Sequence, residues 1–282
     1  MSEYALEIQD LTKKFDGFIL DHISFRLPTG FIMGLVGKNG AGKTTTIKLL
    51  LELLQKDNGS IKILGIEADE NFDIKQDIAV VFDDLFLVDD WKIADVEAAI
   101  SPFYKSWESS VFHQYLDRFH LPLKKKVKDL SRGMKMKLML AVALSHKARL
   151  LILDEPTSGL DPVARDELLD ILMQYIENEQ NSILFSTHIT SDLDKIADYL
   201  TIMDEGKIFF TGSKDELFEN YCLVKGNSDS LMPEIEEKLI GLQKSKVNFS
   251  ALMNVKDMAT LSSDMICESA TIDDILIHIS AN

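Results

Sequence analysis

Short apolar runs broken by turn residues fill the start of the chain. Ala5-Leu6-Glu7-Ile8 precedes the turn pair Asp16-Gly17, and the stretch 18–27 is closed by Pro28-Thr29-Gly30. This punctuation predicts β-hairpin material, because Gly and Pro supply the dihedrals that turns need and interrupt regular ladders. It leads into an apolar strand at 31–36. The period then changes, with Ile47, Leu50, Leu51 and Leu54 recurring at helical spacing. Asp57-Asn58-Gly59 reads as a turn, 60–64 as a strand, and 78–82 as a further apolar run ending in Asp83-Asp84.

From 90 to about 147 the pattern predicts a mostly helical insertion, with Val111, Phe112, Tyr115, Leu116 and Phe119 on one helical face. Met134, Met136 and Met139 read as packing residues, and Lys124, Lys125, Lys126 and Lys128 as a solvated basic face. Leu150-Leu151-Ile152-Leu153-Asp154-Glu155 has the pattern of a buried strand ending in two carboxylates. Asp161-Pro162 then opens a helix with an N-cap aspartate and a proline in the first turn. Leu168, Leu169, Leu172, Tyr175 and Ile176 are its expected inner face. Residues 183–186 form another β-like run before Thr187-His188, and 199–203 with 207–210 form a closing hairpin around Glu205-Gly206. Strands separated by helices predict a largely parallel sheet whose functional loops lie at the strands' carboxyl ends. Beyond about 213 the motifs stop: 231–242 and 271–279 look helical, and the segment is apolar enough to form a small folded lobe.

Composition narrows the function classes. At 282 residues the chain can bury a sizeable α/β core plus an appendage. A formal net charge of −16 disfavours a general nucleic-acid binder, which needs basic residues to neutralise phosphates. Cys222 and Cys267 match no metal spacing and read as free thiols of a reducing compartment. The first ten residues have no signal-like apolar core, and no window is apolar enough to span a bilayer, so neither a secretory signal nor a membrane span is expected.

The chemistry is concentrated in three loops. Gly37-Lys38-Asn39-Gly40-Ala41-Gly42-Lys43-Thr44-Thr45 has the spacing G-x-x-x-x-G-K-[ST] between a strand and a helix. Glycines let successive N–H groups turn inward around phosphate oxygens, and the following helix points its positive end at the same anion. Lys43 would reach the β- and γ-phosphates and the Thr44 hydroxyl would ligate Mg²⁺. The plain alternative is a glycine-rich turn with a chance lysine. Asp154, at a strand end, would hold Mg²⁺ directly or through water, and Glu155 beside it is placed to polarise a water. His188, after the next strand, could bond the γ-phosphate or orient Glu155. Phe15, just before the first turn, is a candidate adenine-stacking ring, or alternatively a core aromatic.

Together these stretches resemble the nucleotide-binding subunit of an ATP-binding cassette (ABC) transporter over roughly residues 3–212. Gly37 to Thr44 resembles that family's Walker A and Leu150 to Asp154 its Walker B, with Glu155 as catalytic glutamate. Ser158-Gly159-Leu160-Asp161 resembles the D-loop, His188 the switch histidine, and Leu130-Ser131-Arg132-Gly133-Met134 the LSGGQ signature. The resemblance implies a P-loop NTPase fold with an antiparallel β subdomain and a helical subdomain at about 90–147. It places an ATPase domain at 1–212 and an α+β accessory lobe at 213–282. It implies ATP and Mg²⁺ as ligands, with Asp83 in the place of the Q-loop glutamine as a further metal-site residue.

It further implies a second ATPase subunit, identical or different, whose Ser131 and Gly133 amide meet the γ-phosphate held by Lys43 of the first. The expected partner of such a pair is a separately encoded membrane permease, with the ATPase at the cytoplasmic face of the membrane. Phe82-Asp83-Asp84 together with the LSRGM form of the signature resembles a branch of Gram-positive exporters of peptides and antibiotics, including phenol-soluble-modulin exporters. The competing class is a soluble ABC ATPase working on ribosomes, DNA or cluster assembly. A third reading, a degenerate nucleotide binder, is disfavoured by the presence of Glu155 and His188.

Overall fold

The structure, a computed structural model, describes residues 2–68, 72–83, 87–262 and 264–280, so Asp84 lies outside the described residues. Strands β1 (Tyr4–Phe15) and β2 (Phe18–Pro28) form the expected hairpin, closing at the Phe15–Phe18 pair around Gly17, whose φ is +83°. Strand β3 (Ile32–Val36) runs into the glycine-rich loop, and α1 (Lys43–Leu50) leaves it. This helix stops short of Leu54 because Glu52 turns left-handed, at φ +56°. The Leu53 and Leu54 N–H groups then both return to the Lys48 carbonyl, at 2.8 and 3.2 Å. Strands β4 (Asn58–Ile63) and β5 (Ile66–Glu67) complete a four-stranded antiparallel sheet of order β2-β1-β4-β5.

Strand β6 (Ile78–Val81) opens the middle of the chain. Helices α2 (Ile93–Ile100), α3 (Ser109–Arg118) and α4 (Arg132–Ala143) follow before β7 (Leu150–Asp154). The basic stretch is partly engaged, since Lys126 and Lys128 both bond Asp90, at 3.0 and 2.8 Å. Those two ammonium groups pull the Asp90 carboxyl down to about 2, with the Lys128 hydrogen bond contributing most.

Next come α5 (Pro162–Ile176), β8 (Ser182–Thr187), α6 (Thr190–Ile196), β9 (Tyr199–Asp204) and β10 (Lys207–Ser213). A six-stranded sheet runs β10-β9-β3-β8-β7-β6, parallel throughout except for the β9–β10 hairpin. Strands β3, β7 and β8 are buried along their whole length, as a sheet covered on both faces requires. The two-residue alternation divides them between cores. Ile32, Val36, Leu151, Leu153, Ile183 and Phe185 face a cluster shared with α4, α5 and α6. Met33, Leu35, Leu150, Ile152 and Leu184 face a second cluster under α1 and the antiparallel sheet. Wedged from both sides, the sheet presents the carboxyl ends of β3, β7 and β8 along one edge.

The remaining chain builds a third sheet. Helix α7 (Lys214–Asn220) precedes β11 (Tyr221–Asn227), α8 (Pro233–Glu236), β12 (Leu239–Lys244), β13 (Asn248–Asn254), β14 (Ile266–Ser269) and α9 (Ile272–Ile279), and the strand order is β12-β13-β11-β14. The helical reading of 231–242 is therefore corrected: only one turn forms, and Leu239 and Ile240 pair with Met253 and Leu252. Tertiary pairing overrides the local periodicity, and Gly241 makes the switch possible. Its φ is +61°, and a Cβ there would lie 1.7 Å from the His278 carbonyl oxygen of α9.

Gly241→Ala therefore combines left-handed strain with a backbone clash, and we expect a loss of about 2–4 kcal/mol confined to this sheet and α9. Amide hydrogen exchange would show it as faster exchange in β12 and α9 with β3 and β7 still protected; unchanged exchange in β12 would contradict it.

Candidate active site

The glycine loop is shaped by contacts only glycine permits. A Cβ on Gly37 would fall 2.4 Å from the Met203 carbonyl oxygen, and Gly40 and Gly42 hold φ values of +88° and +112°. Asn39 and Gly40 form the exposed tip, and the loop is pinned behind it. The Ala41 N–H donates to the Lys38 carbonyl at 3.1 Å, and the Ala41 carbonyl accepts from the Gly206 N–H at 3.0 Å. Lys43 is 6% exposed; it donates to the Gly37 carbonyl at 2.7 Å and lies 3.4 Å from Glu155 Oε1. Thr45, half-buried, follows Thr44 into α1.

Across the sheet edge, Asp154 closes β7 with a carboxylate that is 4% exposed. The Thr44 hydroxyl donates to Asp154 Oδ2 at 2.8 Å and the Ser186 hydroxyl to Oδ1 at 2.9 Å. Direct pairing of Asp154 with Ser186 in the β7–β8 register sets this contact. Ser186 was missed as a site residue in the sequence, where it reads only as the end of an apolar run. The signal available was a hydroxyl residue two positions before His188, at the end of a strand that has to lie next to Asp154.

Glu155 does not continue the strand. Its φ is +53°, and its N–H donates to the Ser186 carbonyl at 2.9 Å, so the chain turns sharply and the side chain swings to the same side as Lys43. A left-handed glutamate costs about 1–3 kcal/mol, held here by the flanking sheet. Glu155 Oε2 meets His188 Nδ1 at 2.7 Å, and the His188 N–H approaches the same oxygen at 3.4 Å. Lys43, Glu155 and His188 thus form one chain of contacts, with Thr44, Asp154 and Ser186 forming another beside it.

A second cluster holds the remaining expected residues. Ser131 caps α4, accepting from the Met134 N–H at 3.3 Å, and Gly133 in its first turn packs near Leu160. Asp161 caps α5, accepting from Val163 and Ala164 N–H groups at 3.1 and 3.0 Å. Asp83 is bonded to Arg132, so the residue in the Q-loop position and the arginine in the signature are partners. The same guanidinium lies over Gly159, where a Cβ would come within 3.0 Å of Nη1. Asp83 thus faces the signature. Phe15 stands apart at the hairpin tip, 41% exposed, its ring 6.3 Å from that of Phe18, whose own edge borders Gly42.

A phosphate-cradling loop with an acid, a glutamate and a histidine on neighbouring strand ends defines a P-loop nucleoside triphosphatase. Residues 20–158 match the family described as ABC transporter. Among relatives, the lantibiotic transport ATP-binding protein SrtF of Streptococcus pyogenes is 34% identical over 77% of this chain and 97% of its own length. The ABC transporter ATP-binding protein YtrB of Bacillus subtilis is 26% identical over 89% of this chain and 87% of its own. A solved structure of an ATP-binding subunit of an ABC transporter superposes with a TM-score of 0.67 at 28% identity, covering 76% of this chain and 91% of that one. The chain belongs to the ABC transporter family as an ATP-binding subunit, and its general activity is ATP hydrolysis.

Asp83 and Arg132 are each about half exposed, at 46% and 49%, which limits what their pairing contributes. A double-mutant cycle with Asp83→Asn and Arg132→Gln should give a coupling of at most about 1 kcal/mol that shrinks as salt is raised. Full additivity at low salt would mean the pair does not form in solution.

Proposed function

We propose that this subunit powers a separately encoded membrane permease that exports peptides or antimicrobial compounds, and that it works as a head-to-tail pair of ATPase chains at the cytoplasmic membrane face. The observation that carries the reading is the joined network Lys43–Glu155–His188 beside Thr44–Asp154–Ser186, on the strand edge that follows the glycine loop. The substrate class draws on likeness to a lantibiotic transport protein, and the export direction on the Phe82-Asp83 and LSRGM stretches noted in the sequence. Among the described residues no helix is long and apolar enough to cross a membrane, so in this reading the translocation path belongs to the permease. We assign the ATPase unit to 1–212, with the helical part at about 90–147, and an accessory lobe to 213–282.

Magnesium suits the donor set. Thr44 and Asp154 offer hard oxygens 2.8 Å apart, and Mg²⁺ in such sites takes one or two protein oxygens along with substrate phosphates and waters. When bound, the ion would draw charge from the phosphate oxygens. Lys43 and the loop amides receive the triphosphate, and Phe15 stacks on the base. As Lys43 moves to phosphate it leaves Glu155 Oε1, which becomes the acceptor for a water proton while Oε2 stays fixed by His188. Asp83 is engaged by Arg132, so a contribution of its carboxylate to holding the metal would require that pair to open. Ser131, at the N-terminus of α4, and the Gly133 amide then close over the γ-phosphate of the partner chain.

Glu155→Gln keeps the size and the contact to His188 but loses the basic oxygen. We expect ATP turnover to fall by on the order of 10²–10⁴ with nucleotide binding retained, measured by steady-state hydrolysis and equilibrium binding. Unchanged turnover would remove Glu155 from the role of base.

A further inference from the structure

The C-terminal lobe reaches the ATPase site through one helix. Helix α6 starts at Thr190, two residues after His188, and Thr190 is 7% exposed. Its hydroxyl donates to Asp273 Oδ1 of α9 at 2.7 Å. Asp273 is held in place by the helix start around it. The Thr271 N–H donates to Asp274 Oδ2 at 2.9 Å and the Asp274 N–H returns to the Thr271 hydroxyl at 3.1 Å. The apolar face of α9, Ile272, Ile275, Leu276 and Ile279, is buried in the same cluster as Leu193, Ile196, Leu200 and Ile202. His278 Nδ1 pairs with the Gly241 carbonyl at 2.7 Å and ties the helix back to β12.

Two further contacts make this more than surface packing. Also on α6, the Asp192 carboxylate, 1% exposed, forms an ion pair at 3.6 Å with Arg165 Nε of α5, the helix capped by Asp161. At the far end of α9, Ser280 stands beside the Asp204 carboxyl, directly before Glu205 and Gly206. The Gly206 N–H supports the glycine loop through the Ala41 carbonyl.

We infer that Asp273 and Thr190 are positioning residues for ATP hydrolysis: through their hydrogen bond the C-terminal lobe sets the place of His188 against Glu155. The short segment from His188 to Thr190 leaves little slack, so releasing Thr190 from α9 loosens the loop that carries the histidine. The Glu155 carboxylate, bonded to both the ring and the N–H of His188, loses its fixed orientation with it. Lys43 and the glycine loop do not use this contact, so nucleotide binding is spared while the chemical step suffers. The inference rests on the role proposed above for His188.

The test is steady-state ATP hydrolysis by the full chain. Thr190→Val removes the donor at nearly constant volume and Asp273→Ala removes the acceptor. Each should lower kcat on the order of tenfold with the KM for ATP within about twofold, because misplacing a catalytic group costs rate rather than binding. Asp273→Asn keeps an oxygen that accepts from Thr190 and should restore kcat. In a His188→Ala background, Asp273→Ala should have no further effect. If Asp273→Ala destabilises α9, Thr190→Val decides from the other side of the bond. Wild-type kcat in Thr190→Val, with His188→Ala impaired, would overturn the inference and leave the His188 role standing. A loss in Asp273→Asn equal to that in Asp273→Ala would also overturn it. Full activity of His188→Ala would overturn both.

Discussion

The pairing of β7 with β8 is the constraint on which the site depends. Asp154 lies opposite Ser186; Glu155 then leaves the sheet by a left-handed turn, while β8 runs one residue further, to Thr187, before the chain reaches His188. With β3 on the other side of β8, pairing Val36 with Thr187, the glycine loop is delivered to the same edge. Three loops distant in sequence therefore meet without any of them having to be long. Burial of β3, β7 and β8 on both faces is what makes the register stiff, since a one-residue slip would exchange the two cores.

Charge organises the site once the backbone has placed it. Lys43 is almost fully buried and satisfied by a carbonyl and by Glu155, so its ammonium is held at the loop mouth by groups that a triphosphate can replace. Glu155 in turn is shared between Lys43 and His188. Binding of an anion at the loop then changes the partner of the proposed base in the same step. The Asp83–Arg132 pair adds a comparable arrangement on the signature side, where two of the residues that depart from the family pattern engage each other.

Much of this was legible in the sequence because it depends on local signals. The G-x-x-x-x-G-K-T spacing, the apolar run ending in Asp154-Glu155 and the Asp161-Pro162 helix start each carry their own structural instruction. What was not legible depends on contacts between distant segments. Periodicity in 231–242 favours a helix, yet β13 offers Leu239 and Ile240 a strand partner and Gly241 lets α9 approach. Asp83 reads as a metal ligand by position, and only the fold brings Arg132 to it from 49 residues away. The Ser186–Asp154 and Thr190–Asp273 bonds likewise join residues far apart along the chain, so no local spacing announces the contact itself. Short-range chemistry is written in motifs, whereas the way loops lean on each other is decided by packing.

The proposed shared site makes the sharpest demand, that the Ser131 loop of one chain serve the Lys43 loop of another. The most direct measurement is complementation: chains carrying Lys43→Ala are mixed with chains carrying Ser131→Ala, and ATP hydrolysis is compared with each variant alone. A paired site predicts recovery, because mixed pairs carry one intact site and one doubly defective site. Random pairing of equal amounts restores roughly a quarter of the sites. A mixture no more active than the mean of its parts, under conditions where the wild-type chain pairs, would contradict the account.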